Sequence, residues 1–197
     1  MLHLILTIIG YLIGSLSSAI VVSSILMLPD PRTSGSRNPG TTNVLRLGNK
    51  LGAVLTLAGD TCKALVPILI VKLYITEDSS VITLMALSIF LGHLFPIYFN
   101  FKGGKGVATS LGIFLAITPI VAGLQIITWL IFAIVFRYSS LSAIAAALLT
   151  PLYLWALNSG STYIALGGAL SVLILVRHRR NIKRLVARTE TKFSLKR

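Results

Sequence analysis

The sequence predicts an all-α integral membrane protein with seven transmembrane helices, some of them short, the N-terminus outside and the C-terminus cytoplasmic. Three observations carry this. Of 197 residues, 55% are hydrophobic and 12% charged, and the mean hydropathy is +0.88, far too apolar for a water-soluble domain of this size. The polar residues gather into short stretches between apolar runs. Charge is lopsided, with 18 Lys and Arg against 5 acids. The excess sits between the runs and at the C-terminal end, where anionic lipids or phosphorylated substrates are natural partners. Nucleic acid, the other habitual partner of such charge, is set aside because each basic loop is short and tied to a membrane segment. The one cysteine, Cys62, permits no internal disulfide and has no cysteine partner for a metal site.

Residues 2–28 form one apolar run without the basic n-region of a cleavable leader, so an uncleaved spanning helix is expected. Its Gly10, Gly14, Ser15, Ser17 and Ser18 suit close helix packing in lipid. Residues 29–50 are polar and rich in turn formers, with Arg32, Arg37, Arg46 and Lys50 against Asp30. A plain connecting loop has no need of so many Arg, hydroxyl and amide donors with so few acids. That mixture suits an oxyanion ligand. The second span, 51–75, contains Asp60 and Lys63, three apart and on one helical face, which read as a structural ion pair orienting the helix. An acidic turn at 76–80 carries Glu77 and Asp78, and the third span, 81–99, carries His93 near its end.

The stretch 92–109, GHLFPIYFNFKGGKGVAT, is the densest in chemistry. Gly103, Gly104 and Gly106 are expected to adopt backbone conformations closed to other residues, so that successive N–H groups converge on one anion. Lys102 and Lys105 supply charge, and a helix beginning at Val107 adds its N-terminal N–H groups and dipole. The loop reads as a phosphate cradle at the mouth of a membrane helix, against the plainer reading of a basic loop touching lipid head groups. It has neither Walker spacing nor a dinucleotide GxGxxG. His93 lies close enough in sequence to share this site and is a candidate to bind or exchange a proton near pH 7.

Residues 107–136 are uncharged and, as one helix, would reach about 45 Å against a hydrocarbon core of roughly 30 Å. Thr118 and Pro119 sit near the middle, so the segment is one kinked helix or two short ones. Two further spans follow at 141–157 and 163–176, and the tail from Arg177 carries nine Lys and Arg against Glu190. A single crossing at 107–136 would put this tail opposite the basic loops, against the positive-inside rule. Two crossings place the basic loops, the turn 137–140 and the tail in the cytoplasm, with 76–80 and 158–162 outside. No internal repeat appears, and residues 1–197 read as a single membrane-embedded domain.

Three polar stretches thus share one side of the membrane, and there the sequence resembles, end to end, the bacterial membrane glycerol-3-phosphate acyltransferases that use acyl phosphate. The first motif matches at Ser36, Asn38, Gly40, Thr42, Asn43 and Arg46. The second matches at Gly92, His93, Pro96, Phe99, Phe101, Gly103, Gly104, Lys105, Gly106, Val107, Ala108 and Thr109. The third matches at Arg177, His178, Asn181, Ile182, Arg184, Leu185 and Glu190, and the pair Asp60 and Lys63 and the turn Ser140, Leu141, Ser142 also agree. Two positions depart: Arg37 and Arg188 stand where the family typically has glycine. A positive φ at either would strain an arginine.

The resemblance implies acyl transfer from acyl phosphate to the first hydroxyl of glycerol 3-phosphate, giving lysophosphatidic acid and phosphate in phospholipid synthesis. It implies a monomer in the bacterial plasma membrane, an active site facing the cytoplasm, lipids as the only other partner, and no cofactor or metal. His93, Lys105, His178 and Ser36 are the catalytic candidates. Asn38, Asn43, Arg46, Gly103, Gly104, Ser142, Asn181 and Glu190 are the substrate-binding candidates. The base is the donor's own phosphate oxygen, with His93 or His178 as the protein alternative. Ser36 and Ser142 are expected to hydrogen-bond substrate rather than act as nucleophiles, and Glu190 either binds glycerol hydroxyls or pairs with a cation. The alternative class is a transporter or channel for phosphorylated anions, which predicts polar broken helices near the midplane. An acyltransferase with a His-x4-Asp dyad is excluded because Tyr98 and Lys183 stand five residues after the two histidines. The scattered Asp30, Asp60 and Asp78 do not make the metal cluster of a CDP-alcohol phosphotransferase.

Overall fold

The computed structural model describes residues 1–192, so Lys196 and Arg197 of the basic tail lie outside the described residues. These residues are helical with no strand among them, and they divide into two compact units, Met1–Ile117 and a second from Thr118 onward.

The first unit contains α1 (Leu2–Gly14), α2 (Ser18–Ile25), α3 (Thr41–Arg46), α4 (Lys50–Tyr74), α5 (Ser79–Leu94), a 3-10 turn at Ile97–Phe99 and α6 (Val107–Ile117). The expected continuous helix over 2–28 is broken. Ser17 is extended (φ −92°, ψ 100°) and α2 starts afresh after it. The break follows the tightest part of the crossing between α1 and α5. A Cβ on Gly14 would overlap the Ile89 carbonyl, and one on Gly92 would overlap that of Tyr11. Lipid offers no hydrophobic drive between helices, so such glycine contacts let the backbones approach and supply dispersion instead.

α5 is the buried helix of this unit, with Met85, Ile89, Phe90 and Leu94 enclosed. α4 lies against α6 at Gly112, where a Cβ would overlap the Thr61 carbonyl, and Thr61 Oγ1 donates to the Ala108 carbonyl at 3.3 Å. Lys72 Nζ donates to the carbonyls of Ala116 and Ile117, each at 3.3 Å. Those are orphan acceptors at the end of α6, and a cation is favoured there. α6 stops because Thr118 leaves the helical region (φ −142°, ψ 83°) and Pro119 opens the next helix. The ambiguous segment 107–136 is therefore two helices. With 11 residues, α6 rises only about 16 Å.

The second unit contains α7 (Pro119–Phe136), α8 (Ser139–Ala156), α9 (Ser161–Arg177) and α10 (Arg179–Val186). Buried or partly buried polar pairs join its helices: Gln125 Nε2 to Thr150 Oγ1 at 2.8 Å, Thr128 to the Tyr153 hydroxyl at 2.6 Å, and the Ser171 hydroxyl to the Ala147 carbonyl. Among the described residues, five helical stretches are long and apolar enough to cross a membrane: Leu2–Ile25, Lys50–Tyr74, Ser79–Phe99, Pro119–Phe136 and Ser139–Ala156. The pair α9 and α10, bent by 62°, makes a sixth when taken as one span.

Candidate active site

In the first unit the polar stretch after α2 is folded around Asn43, which is buried. Its amide donates to the carbonyls of Pro31 (2.8 Å) and Ser34 (3.0 Å), and its Oδ1 accepts from the Ser36 N–H at 2.7 Å. Both amide protons are thus engaged within the loop. Arg32 and Asp30 form a paired fork at 2.7 Å, and the Arg32 guanidinium lies 5.9 Å from the centre of the Phe99 ring. This contact ties the first polar stretch to the 3-10 turn before the glycine loop. Hydrogen bonds from Arg32 hold the Asp30 carboxyl below its ordinary range. Arg46 is exposed at the end of α3, while Ser36 and Asn38 are partly buried.

The glycine loop corrects part of the expectation. Only Gly106 has a left-handed φ, +88°. Gly103 and Gly104 are glycine because there is no room for a side chain. A Cβ on Gly103 would come within 2.6 Å of the Leu94 carbonyl and of Pro96 Cδ, and one on Gly104 would fall on the imidazole edge of His93, with the Pro39 carbonyl at 3.0 Å. The Gly104 N–H is also not part of a cradle, because it donates to the His93 carbonyl at 3.1 Å. Asn100 and Phe101 take left-handed φ values of 53° and 57°, so the strained backbone precedes the glycines. Lys105 lies partly buried between Gly104 and Gly106, next to the start of α6.

His93 is buried at the end of α5 and belongs to a second network. Lys63 Nζ lies 2.8 Å from Asp60 Oδ1, 2.9 Å from His93 Nδ1 and 2.7 Å from the Leu16 carbonyl in the break between α1 and α2. The ion pair is nearly enclosed, with side-chain exposures of 6% for Lys63 and 4% for Asp60. Removing one partner of such a pair costs about 3–5 kcal/mol, because the other charge is left buried. The expected pair is therefore present, but the reach to His93 was not read from sequence, where the two residues stand thirty apart.

In the second unit Glu190 is buried and takes three partners. Its Oε1 accepts from Ser140 Oγ (2.9 Å) and Asn181 Nδ2 (2.6 Å), and its Oε2 lies 3.1 Å from Arg184 Nε. The carboxylate pins α10 to the first turn of α8. Ser140, not a candidate from sequence, makes this contact, while the Ser142 hydroxyl donates to the Tyr138 carbonyl of its own helix at 2.9 Å. His178 is buried with Nδ1 2.9 Å from the Ile174 carbonyl. A carbonyl only accepts, so Nδ1 carries a proton and Nε2 is the basic atom of the neutral ring. Arg37 and Arg188 both sit at φ 57°, the strained conformation raised as their consequence. At Arg188 the chain leaves α10 with Thr189 N–H bonded to the Arg184 carbonyl at 2.8 Å, the C-cap arrangement in which glycine is usual.

The chain matches the family described as "Glycerol-3-phosphate acyltransferase" over residues 4–188. It is 47% identical to the glycerol-3-phosphate acyltransferase of Cupriavidus metallidurans, covering 100% of this chain and 98% of that relative. It is 50% identical to that of Halorhodospira halophila, covering 98% and 97%. The fold is similar to a crystal structure of PlsY (YgiH), an integral membrane glycerol 3-phosphate acyltransferase, in its glycerol 3-phosphate form. The TM-score is 0.92 at 38% identity, over 98% of this chain and 96% of that one. Against the lysophosphatidic acid form the TM-score is 0.91 at 36% identity, over 98% and 95%.

Proposed function

We propose that this chain, which belongs to the glycerol-3-phosphate acyltransferase family, transfers a fatty acyl group from acyl phosphate to the first hydroxyl of glycerol 3-phosphate. The products are lysophosphatidic acid and inorganic phosphate. Acylation of glycerol 3-phosphate follows from the family; the donor is our reading of the site. The observation that carries it is the loop Gly103 to Gly106, held with no spare volume between His93 and the start of α6. A phosphate there meets Lys105 and the N–H groups that open α6. Its acyl chain enters apolar surroundings at once.

In the reaction the glycerol oxygen attacks the acyl carbonyl carbon. The bond between that carbon and the phosphate oxygen breaks, and the hydroxyl proton passes to a phosphate oxygen of the departing group. A mixed anhydride has a good leaving group, so positioning supplies much of the rate. Lys105 and Arg46 neutralise phosphate charge, and Ser36 and Asn38 add hydrogen bonds. Asn43 acts by shaping the loop. In the second unit Asn181, oriented by Glu190, holds substrate, with Ser142 on α8. His178 is the protein base should the donor's phosphate not suffice. Residues 1–197 work as one domain in the bacterial plasma membrane, as a monomer with polar loops and C-terminus cytoplasmic. Seven passes keep the basic loops inside, the glycine loop and α6 together supplying the short one.

The test is turnover by purified protein given palmitoyl phosphate and glycerol 3-phosphate. Equal amounts of lysophosphatidic acid and phosphate are expected, with no phosphate release when glycerol 3-phosphate is omitted. Phosphate release that is independent of the acceptor would overturn the transfer mechanism.

A further inference from the structure

We infer that Lys63 is a positioning residue that fixes His93 in the Nε2–H tautomer and aims that proton at the glycine loop, making His93 a hydrogen-bond donor rather than a base. The argument is a count of protons. An ammonium has three, and Lys63 Nζ has three acceptors in reach: Asp60 Oδ1 at 2.8 Å, the Leu16 carbonyl at 2.7 Å and His93 Nδ1 at 2.9 Å. Carboxylate and carbonyl oxygens only accept. The third proton therefore goes to His93, whose Nδ1 must offer its lone pair.

The opposite assignment, a neutral Lys63 accepting from a protonated Nδ1, takes the ammonium away from the buried Asp60 carboxylate, and His93 Nδ1 at 3.7 Å is beyond hydrogen-bond length from it. A doubly protonated ring would set Nδ1–H against N–H at 2.9 Å. The neutral ring with its proton on Nε2 gives every group in the network a partner and keeps an ammonium against the Asp60 carboxylate. The Leu16 carbonyl adds a structural reason for Lys63 to be held there. It is released by the break between α1 and α2, and an ammonium satisfies it.

The other edge of the ring faces the loop. A Cβ on Gly104 would overlap His93 Nε2 and approach Cε1 to 2.7 Å, and the Gly104 N–H donates to the His93 carbonyl, so ring and loop are clamped together. An Nε2–H there is presented where we propose the phosphate binds, and the inference rests on that reading. A proton already on Nε2 cannot be accepted from the glycerol hydroxyl. Base duty then falls to the donor phosphate.

The experiment is 15N NMR of protein labelled in its histidine rings, with His93 assigned through His93→Asn, together with kinetics. Wild-type His93 should show a bare Nδ1 and a protonated Nε2, and inorganic phosphate should shift the Nε2 signal. Lys63→Met alone leaves Asp60 unpaired and puts folding at risk, so Asp60→Asn with Lys63→Met is the second variant. In it the difference between the two ring nitrogens should shrink as tautomers mix. Lys63→Met should lower kcat by roughly tenfold, and in a His93→Ala background by less than about threefold, because residues acting through one another are not additive. A protonated Nδ1 in the wild type, an unchanged ring pattern in the double variant, or full additivity with His93→Ala would each overturn the proposal. The NMR arm needs no turnover, so a wrong donor assignment would leave it readable.

Discussion

Gly104→Ala should cripple the enzyme without unfolding it. The new Cβ would fall on the His93 ring edge, 2.7 Å from Cε1, and would press the Pro39 carbonyl at 3.0 Å. Neither neighbour yields easily. His93 is held through Nδ1 by Lys63, and the Pro39 oxygen belongs to the backbone of a loop already tied down through Asn43 and Arg32. Overpacking of this kind costs about 1–3 kcal/mol. Spent on displacing His93 and the loop, it corresponds to roughly fivefold to 150-fold in kcat/KM. The assay is phosphate release from palmitoyl phosphate in the presence of glycerol 3-phosphate, with Gly168→Ala as control, since a Cβ there meets nothing within 4 Å. In a His93→Ala background the same Gly104→Ala change should cost less, because the ring it strikes is gone. Wild-type kcat/KM in Gly104→Ala, or an equal loss with and without the His93 ring, would refute the reasoning.

Lys105→Ala removes a charge-assisted phosphate contact worth about 1.5–3 kcal/mol, so kcat/KM should fall roughly tenfold to a hundredfold. Unchanged kinetics toward both substrates would reduce the loop to a lipid-surface role. Arg188→Gly should stabilise the protein. A non-glycine residue in the left-handed region costs about 1–2 kcal/mol and glycine's unfolded-state entropy takes back about 0.5–1, so a net gain of up to about 1.5 kcal/mol is expected in denaturation; a loss of stability would contradict the strain at φ 57°. Topology is tested in a Cys62→Ala background with single cysteines at positions 34, 78, 102, 159 and 192. Labelling of 34, 102 and 192 only from the cytoplasm is expected, and external labelling of 192 would defeat the seven-pass reading.

What could be read from sequence follows local rules. Asp60 and Lys63 pair because three residues on a helix bring two side chains to one face, and 107–136 divides at Thr118 because a proline opens the next helix. The departures at Arg37 and Arg188 pointed to positive φ, and both have it. What escaped depends on packing between distant segments. The break after Gly14 arises where α1 is pressed against α5, a contact that glycine content suggests without locating. Short α3 was hidden in a stretch dominated by turn formers. Sequence points to backbone freedom at Gly103 and Gly104, whereas lack of space is the cause, a difference visible only once His93, Leu94 and Pro96 surround them. Sequence leaves Glu190 between binding glycerol hydroxyls and pairing with a cation, and its contacts with Ser140, Asn181 and Arg184 come from segments that sequence alone does not bring together.

The central claim, that the acyl group arrives on a phosphate held at the glycine loop, is tested most directly by comparing donors. Purified protein shown to be free of acyl-phosphate-forming activity is given glycerol 3-phosphate with either palmitoyl phosphate or palmitoyl-CoA as the only donor. Lysophosphatidic acid should form with palmitoyl phosphate and not with palmitoyl-CoA. Robust turnover with palmitoyl-CoA alone would contradict the donor assignment while leaving the chain an acyltransferase of glycerol 3-phosphate.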